Sequence, residues 1–343
     1  MKQGCQFGTH RVILPIGALP QAAQKLDNTM DLYDNELKIN VKTLNIDSAS
    51  FTQMKRVCNN DADAIGQMIS SIVTERGKMQ NPETGSGGML IGTISEIGPK
   101  FPDKTLKVGQ MIATLVSLTL TPLQIKTIKH VNLSNDQVEI EGEAILFASG
   151  IYAVLPDDLP VTLALAALDV AGAPAQTAKL VKPGDTVAII GAAGKSGVLC
   201  CYQAMKNVGP TGKVIGIDRF DHQKEYLLSR NLAHEVIIHD ATDAFGLYEA
   251  MLQSNKEQVD VTINCVSLPN TENSSIMITK KTGIVYFFSM ATSFTKAALG
   301  AEGIGSDVTM IIGNGYTHNH ANLTLDIIRE SQVIKAIFLE KYV

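Results

Sequence analysis

The residues best placed to do chemistry lie between Asp185 and Gly197, where Gly191, Gly194 and Gly197 recur at three-residue spacing. Asp185 to Ile190 is β-branched and apolar and follows the turn Lys182-Pro183-Gly184, so it reads as a short buried strand. Val198 to Met205 reads as a helix. A strand that runs through a glycine turn into a helix leaves unpaired N–H groups and a positive helix pole at one spot, and an anion is the natural occupant. Glycine lets a diphosphate reach the backbone, where a Cβ would hold it off. Gly194-Lys195-Ser196 imitates the end of a nucleoside-triphosphate loop, but that loop needs a glycine five residues earlier and Ile189 stands there. A dinucleotide site requires instead an acid at the end of the next strand, to hold the ribose hydroxyls. Asp218 supplies it 27 residues beyond Gly191, against about 20 in the usual fingerprint, so a long helix and turn must fit between. Asp218 accepts from ribose hydroxyls and repels a 2′-phosphate, which favours NAD, while Arg219 beside it softens that preference. Lys195 and Ser196 add diphosphate contacts. Gly191, Ala193, Gly194, Lys195, Ser196, Gly197, Asp218, Arg219 and Asp240 make up the expected cofactor set.

Elements that could position such a site follow from periodicity. Residues 1–34 are polar and irregular. Leu37, Ile39 and Val41 then alternate with polar residues as in a half-exposed strand, and Ile65, Met68, Ile69, Ile72 and Val73 share one helix face. The turn-rich loop Asn81 to Gly88 feeds a strand at Met89–Ile97, and short strands follow at Met111–Leu115, Val138–Ile140 and Ala144–Phe147. Short strands with glycine turns predict a compact, mainly β domain over 1–155. Beyond Leu159-Pro160, Val161–Val170 is an apolar helix with a single carboxylate, Asp169. Strands at 185–190, 213–218, 235–239, 259–266, 283–289 and 308–312 then alternate with helices, which predicts an α/β doubly wound parallel sheet over 156–314. Asn319–Glu330 reads as an amphipathic helix before a short apolar strand, and 315–343 is expected to complete the first domain.

Composition narrows the classes of partner. The chain has 343 residues and a formal charge of −5, which argues against nucleic acid and anionic membrane surfaces. No apolar run reaches the roughly 18 residues of a membrane span, and the start lacks a signal-peptide core, so a cytoplasmic protein is expected. Five scattered cysteines without a C-x-x-C pair exclude a cysteine-rich zinc lobe. Cys200 and Cys201 read as small buried hydrophobes on a helix.

The loop Pro82–Gly88, the Val108-Gly109 turn and Lys182–Val187 before the glycine turn resemble the medium-chain dehydrogenase/reductase superfamily. Gly191–Gly194 is similar to its quinone-reductase branch, and Leu227–Asp240 to its second nucleotide helix and third strand. The resemblance implies a GroES-like domain joined to a Rossmann domain, with substrate and nicotinamide in the cleft between, and Gly313-Asn314 as a contact to the nicotinamide amide. The zinc chemistry of the alcohol-dehydrogenase branch does not carry over. Leu44–Ala49 has no thiol and Gly85-Ser86-Gly87 has no imidazole, so no metal is expected. Gly8–Val12, Pro82–Gly88 and Leu168–Ala173 resemble the branch that oxidises a 3,5-diamino acid in lysine fermentation. That implies NAD-linked deamination to a 5-amino-3-oxo acid, with a small diamino acid as the binding partner and a homodimer or homotetramer as the assembly.

Oxidising an amine requires a neutral nitrogen, so a base must first take a proton, and later steps need proton transfer again. Glu83, with Ser86 in the same loop, stands where the superfamily's zinc loop faces the nicotinamide; the plainer alternative is a solvated loop charge. Asp169, alone in an apolar helix, is costly unless paired, and its partner is either a substrate ammonium or a capping N–H. Arg11 is a candidate grip for a substrate carboxylate and His10 a candidate proton shuttle. Two other classes fit the same glycine turn: a zinc-independent NADPH-dependent quinone or enone reductase, and a non-enzymatic Rossmann protein resembling the lens crystallins.

Overall fold

The computed structural model describes residues 1–313 and 315–343. The chain falls into two compact units, Met1–Asp158 and Leu159–Val343.

In the first unit the elements are β1 (Val12–Leu14), β2 (Lys25–Leu26), β3 (Leu37–Ile46), α1 (Ser48–Val57), α2 (Ala62–Arg76), β4 (Gly88–Ile97), β5 (Met111–Thr114), β6 (Leu123–Asn132), β7 (Gln137–Leu146) and β8 (Tyr152–Val154). Six of these strands form an antiparallel sheet in the order β6-β7-β3-β4-β5-β8. The inward residues of β3, Leu37, Ile39, Val41, Leu44 and Ile46, bury themselves with Phe51 and Met54 of α1 and with Ile65, Ile69, Ile72 and Val73 of α2. The periodicity anticipates β3 and α2 and misses α1 and β6. Helix α1 turns few apolar residues inward, and its start is set by Asp47, whose side chain accepts the Ser50 N–H. Strand β6 lies at the sheet edge and exposes its lysines, so no clean alternation marks it. The two short strands expected at 138–140 and 144–147 are one strand, β7. It stays continuous through Gly142 because a Cβ there would strike the Gln124 carbonyl of the neighbouring strand.

The second unit contains α3 (Val161–Leu168), α4 (Gly172–Leu180), β9 (Thr186–Ile190), α5 (Lys195–Val208), β10 (Lys213–Asp218), α6 (Asp221–Leu228), β11 (Glu235–Ile238), α7 (Ala244–Asn255), β12 (Val259–Asn264), α8 (Glu272–Met277), β13 (Thr279–Phe287), α9 (Phe294–Gly303), β14 (Thr309–Ile312), α10 (His320–Glu330) and α11 (Gln332–Lys341). The strands lie in the order β11-β10-β9-β12-β13-β14, and every pair is parallel. This is the doubly wound order, in which the chain reverses direction across the sheet between β9 and β12. Residues 315–343 do not complete the first unit. Helices α10 and α11 belong to the second, packed on α3, α4 and α5, because α10 buries Leu325, Ile327 and Ile328 on one face. The apolar strand expected after residue 330 is α11: Ser331 caps it by accepting the Ile334 N–H, and Ile334, Ile337 and Phe338 fall at helical spacing. The apolar helix expected through Val170 stops at Leu168, and α4 departs from it at 53°. Among the described residues no single helix is long and apolar enough to cross a membrane.

Just past α2 the Lys78 side chain is fully buried, and its ammonium donates to the carbonyls of Pro20 (2.7 Å) and Gln21 (3.4 Å). Burial, aided by Arg76, lowers its pKa from 10.5 to about 8. Between those values the unfolded chain binds more protons than the folded one, so stability rises with pH across the window. The protein should therefore gain stability relative to its Lys78→Met variant as pH rises from about 8 to 10. Denaturant midpoints of both proteins test this, and a difference that does not change with pH would refute it.

Candidate functional site

The glycine turn is built by backbone clearance. Gly191 sits at φ 79, where a Cβ would stand 3.0 Å from the Val266 amide nitrogen. A Cβ on Gly197 would collide with the Gly191 and Ala192 carbonyls, so only glycine lets α5 begin this close to the end of β9. Gly194 is the N-cap of α5, and a Cβ on it would meet only the Gly191 oxygen, at 3.3 Å, before open space. An anionic group can thus approach the unpaired N–H groups at the start of α5 without obstruction. Asp218, at the end of β10, turns its carboxylate onto the same turn: Oδ2 accepts the Ala193 N–H at 2.8 Å and Oδ1 accepts its neighbour Arg219 N–H at 2.9 Å. The carboxylate keeps further lone pairs for hydroxyl donors. Arg219 reaches Asp240 at 3.4 Å. Asp240 also accepts from the Thr242 N–H and hydroxyl, and these bonds, with Arg219, hold its carboxyl below the usual range. Of the expected set, Ala193, Asp218, Arg219 and Asp240 are thus joined in one run of contacts at the end of the glycine turn. A Cβ on Gly313, after β14, would stand 2.7 Å from the Tyr286 hydroxyl, and Asn314 lies outside the described residues.

Asp169 is not a carboxylate stranded inside an apolar helix. It follows the last residue of α3 with its side chain 59% exposed, and its Oδ2 lies 2.8 Å from the Lys195 ammonium at the start of α5. The neighbour found for it is a protein cation, neither a capping N–H nor an unpaired site. Beneath the turn, Cys200 and Cys265 bring their sulfurs to 3.7 Å.

In the first unit the Pro82–Gly88 loop is held by Asn81, which is wholly buried. Its N–H donates to the Ser86 carbonyl, its own carbonyl accepts from Gly85, and its Oδ1 accepts the Glu83 N–H. The Asn81 Nδ2 donates to Gln53 Oε1, and Gln53 Nε2 donates in turn to Glu83 Oε2 at 2.6 Å. Arg56 meets the other carboxylate oxygen at 2.9 Å. Glu83 is therefore an exposed carboxylate aimed by a buried pair of amides. Ser86, Thr84 and Ser50 hydrogen-bond to one another at 2.6–3.0 Å, which docks the loop on α1. Gly88 closes the loop at φ 109, where a Cβ would strike the Asn45 carbonyl. Among the described residues no three His, Cys, Asp or Glu side chains are grouped to hold a metal ion.

His10 and Arg11 are engaged elsewhere in the unit. The Arg11 guanidinium is fully buried and all five of its N–H positions have acceptors: both Glu36 oxygens, at 2.6 and 2.7 Å, and the carbonyls of Asp27, Thr29 and Asp31. No donor remains to grip a substrate carboxylate. His10 accepts the Cys5 N–H at Nδ1 and meets Glu36 Oε1 through Nε2 at 2.8 Å, so neither ring nitrogen is open for shuttling protons. Burial pushes the Glu36 carboxyl up, but Arg11, His10 and the Tyr33 N–H outweigh it and hold it below the usual range. Nothing in the local sequence pattern marks Glu36, Gln53 or Asn81 as part of these networks. Only the N-cap Asp47 offered a signal, and it would have revealed α1 and hence Gln53.

The chain is similar to known proteins over its full length. A family profile described as the L-erythro-3,5-diaminohexanoate dehydrogenase N-terminal domain matches residues 10–156. The chain is 59% identical over 344 residues to the L-erythro-3,5-diaminohexanoate dehydrogenase of Fusobacterium nucleatum subsp. nucleatum, covering 100% of both chains. It is 58% identical over 342 residues to the protein of the same name from Acetoanaerobium sticklandii, covering 99% of each. Among solved structures it is similar to a mycobacterial protein complexed with NADPH, at TM-score 0.54 and 15% identity over 88% of this chain and 87% of that one, a likeness of fold alone.

Replacing Glu36 by Gln leaves the Arg11 charge buried without its counter-ion and should cost roughly 3–5 kcal/mol of stability at neutral pH. A carboxyl with a lowered pKa contributes stability that is present above its unfolded pKa and lost as pH falls through the folded one. The gap between the two proteins in denaturant titrations should therefore narrow below about pH 4. A gap under about 1 kcal/mol at neutral pH would show that the pair does not hold this region.

Proposed function

The chain belongs to the L-erythro-3,5-diaminohexanoate dehydrogenase family, and on that premise we propose that it oxidatively deaminates 3,5-diaminohexanoate to 5-amino-3-oxohexanoate in lysine fermentation. It is an oxidoreductase acting on amino groups, with the Rossmann and GroES-like fold of the medium-chain dehydrogenase/reductases, and it uses a nicotinamide cofactor. The observation that carries the reading is that the relatedness runs the full length of the chain, so both the glycine turn and the Glu83 loop lie within the span matched to enzymes of that name.

NAD is the cofactor proposed. Its support is the Asp218 carboxylate at the glycine turn, which offers lone pairs to ribose hydroxyls and repels a 2′-phosphate, while Arg219 is turned to Asp240. The glycines, Lys195 and Ser196 would hold the diphosphate, and the bound nicotinamide supplies the hydride acceptor. Glu83 is the proposed acid/base. Gln53 and Arg56 fix its two oxygens and leave further lone pairs outward, so it can take the proton that a substrate ammonium must lose. Cytoplasm, where nicotinamide cofactors circulate, is the proposed setting. A homodimer or homotetramer is the proposed assembly, supported by the apolar edge at β14, where Ile312 and the nearby α9 residues Phe294 and Leu299 are exposed.

Turnover of 3,5-diaminohexanoate with NAD tests the function directly, and its absence beside activity on a quinone or alcohol would overturn it. Glu83→Gln keeps the shape and removes proton acceptance, so turnover should fall by about 10²–10⁴-fold with cofactor affinity intact. A variant within a few-fold of the wild type would remove Glu83 from the chemistry. Asp218→Ala should weaken NAD binding by roughly 1.5–3 kcal/mol and narrow the gap between NAD and NADP. Unchanged constants for both cofactors would remove Asp218 from the ribose site.

A further inference from the structure

The pair formed by Asp169 and Lys195 runs against the helices that carry it. Lys195 is the first residue of α5, where the positive helix pole disfavours a cation, and Asp169 follows the end of α3, where the negative pole disfavours an anion. Neither charge is placed to stabilise the helix it is attached to, although Asp169 also stands two residues before Ala171, the N-cap of α4. Each is compensated by the other, across 2.8 Å, and the ammonium also stands 5.6 Å from the centre of the Tyr342 ring, beyond α11. All three groups come from different elements of the second unit, and they meet at the helix start that faces the glycine turn.

We propose that Asp169 is a positioning residue for the cofactor: with Tyr342 it holds Lys195 ready at the diphosphate of a bound dinucleotide. The proposal rests on the reading of the glycine turn as a dinucleotide site. A lysine left to itself spreads over many rotamers, and fixing it on binding costs side-chain entropy. Here the stem is ordered in advance, and the side chain is 26% exposed. An ammonium has three N–H donors. Asp169 accepts one, the aromatic ring faces the charge, and the remaining donors are free to meet phosphate oxygens. Asp169 then has no part in proton transfer; it acts through Lys195 alone.

The sign of one measurement separates this role from that of a bystander charge. A carboxylate that merely competes with phosphate for Lys195 would, on removal, release the lysine and tighten cofactor binding. A positioning carboxylate would, on removal, weaken it. NADH binding, followed by the cofactor's fluorescence, is measured for the wild type and for Asp169→Asn, Asp169→Glu, Lys195→Met and the double variant Asp169→Asn/Lys195→Met. Asp169→Asn should raise Kd by roughly 3–5-fold, in keeping with a partly exposed ion pair, and Asp169→Glu should restore most of that loss. Lys195→Met should raise Kd by about tenfold or more, as loss of a charged contact to phosphate does. The double variant should match Lys195→Met, because Asp169 has nothing left to act through. In turnover with NAD, the Asp169→Asn effect should fall on KM for NAD rather than on kcat. An unchanged or lower Kd in Asp169→Asn, or an Asp169→Asn effect that persists in the Lys195→Met background, would overturn the proposal alone. A wild-type protein that binds neither NADH nor NADPH would overturn the dinucleotide reading and the proposal with it.

Discussion

Because a Cβ on residue 197 would collide with the carbonyls of Gly191 and Ala192, the first turn of α5 lies closer to the end of β9 than any other side chain allows. That clearance decides where the helix start points, and so where unpaired N–H groups accumulate. It also leaves the Ala193 N–H without a helical partner, and the carboxylate at the end of β10 takes it. One steric allowance thus joins the ends of the neighbouring parallel strands β9 and β10, beside the β9/β12 boundary where the sheet order reverses. Lys195, Asp218, Arg219 and Asp240 all take their places from it.

The two units fix their working residues by different means. In the second, backbone approaches backbone, and the chemistry resides in N–H groups that side chains complete. In the first, side-chain amides do the aiming: Asn81 folds the loop upon itself, passes a hydrogen bond to Gln53, and Gln53 hands one to Glu83. A buried amide is both donor and acceptor, so a chain of two has a definite direction and presents N–H, not oxygen, to the carboxylate. The loop hydroxyls of Ser50, Thr84 and Ser86 add a docking contact that does not depend on charge.

What could be read from the sequence divides along the same line. The glycine turn and Asp218 were legible because strand, turn and helix each leave a local pattern, and the acid sits at a spacing which those elements dictate. Arg11 and His10 stand out in the sequence as unusual residues, but their partner, Glu36, lies 25 residues from Arg11 with no periodic relation to it, so the pairing is invisible there. The setting of Asp169 is hidden for a simpler reason. The apolar stretch suggests a helix through Val170, whereas α3 ends at Leu168, and a difference of two residues moves the carboxylate from the interior to the surface. The apolar run after residue 330 satisfied strand and helix patterns alike, and only the Ser331 cap decides for helix. Gln53 is hidden because α1 is largely polar and carries only two buried apolar side chains, Phe51 and Met54.

The Arg11 guanidinium collects three backbone carbonyls, from residues 27, 29 and 31, in a stretch that has no strand or helix of its own. Elsewhere in the unit such carbonyls are satisfied one by one along a ladder, and the loss of one rung leaves the rest in place. Here they share a single donor group, fixed by a single carboxylate. Apart from the Asp27 N–H on the Arg11 carbonyl and the Asn28 amide on the Leu123 carbonyl, order in this stretch leans on that one side chain, so its loss frees three acceptors at once where a ladder would lose a single rung.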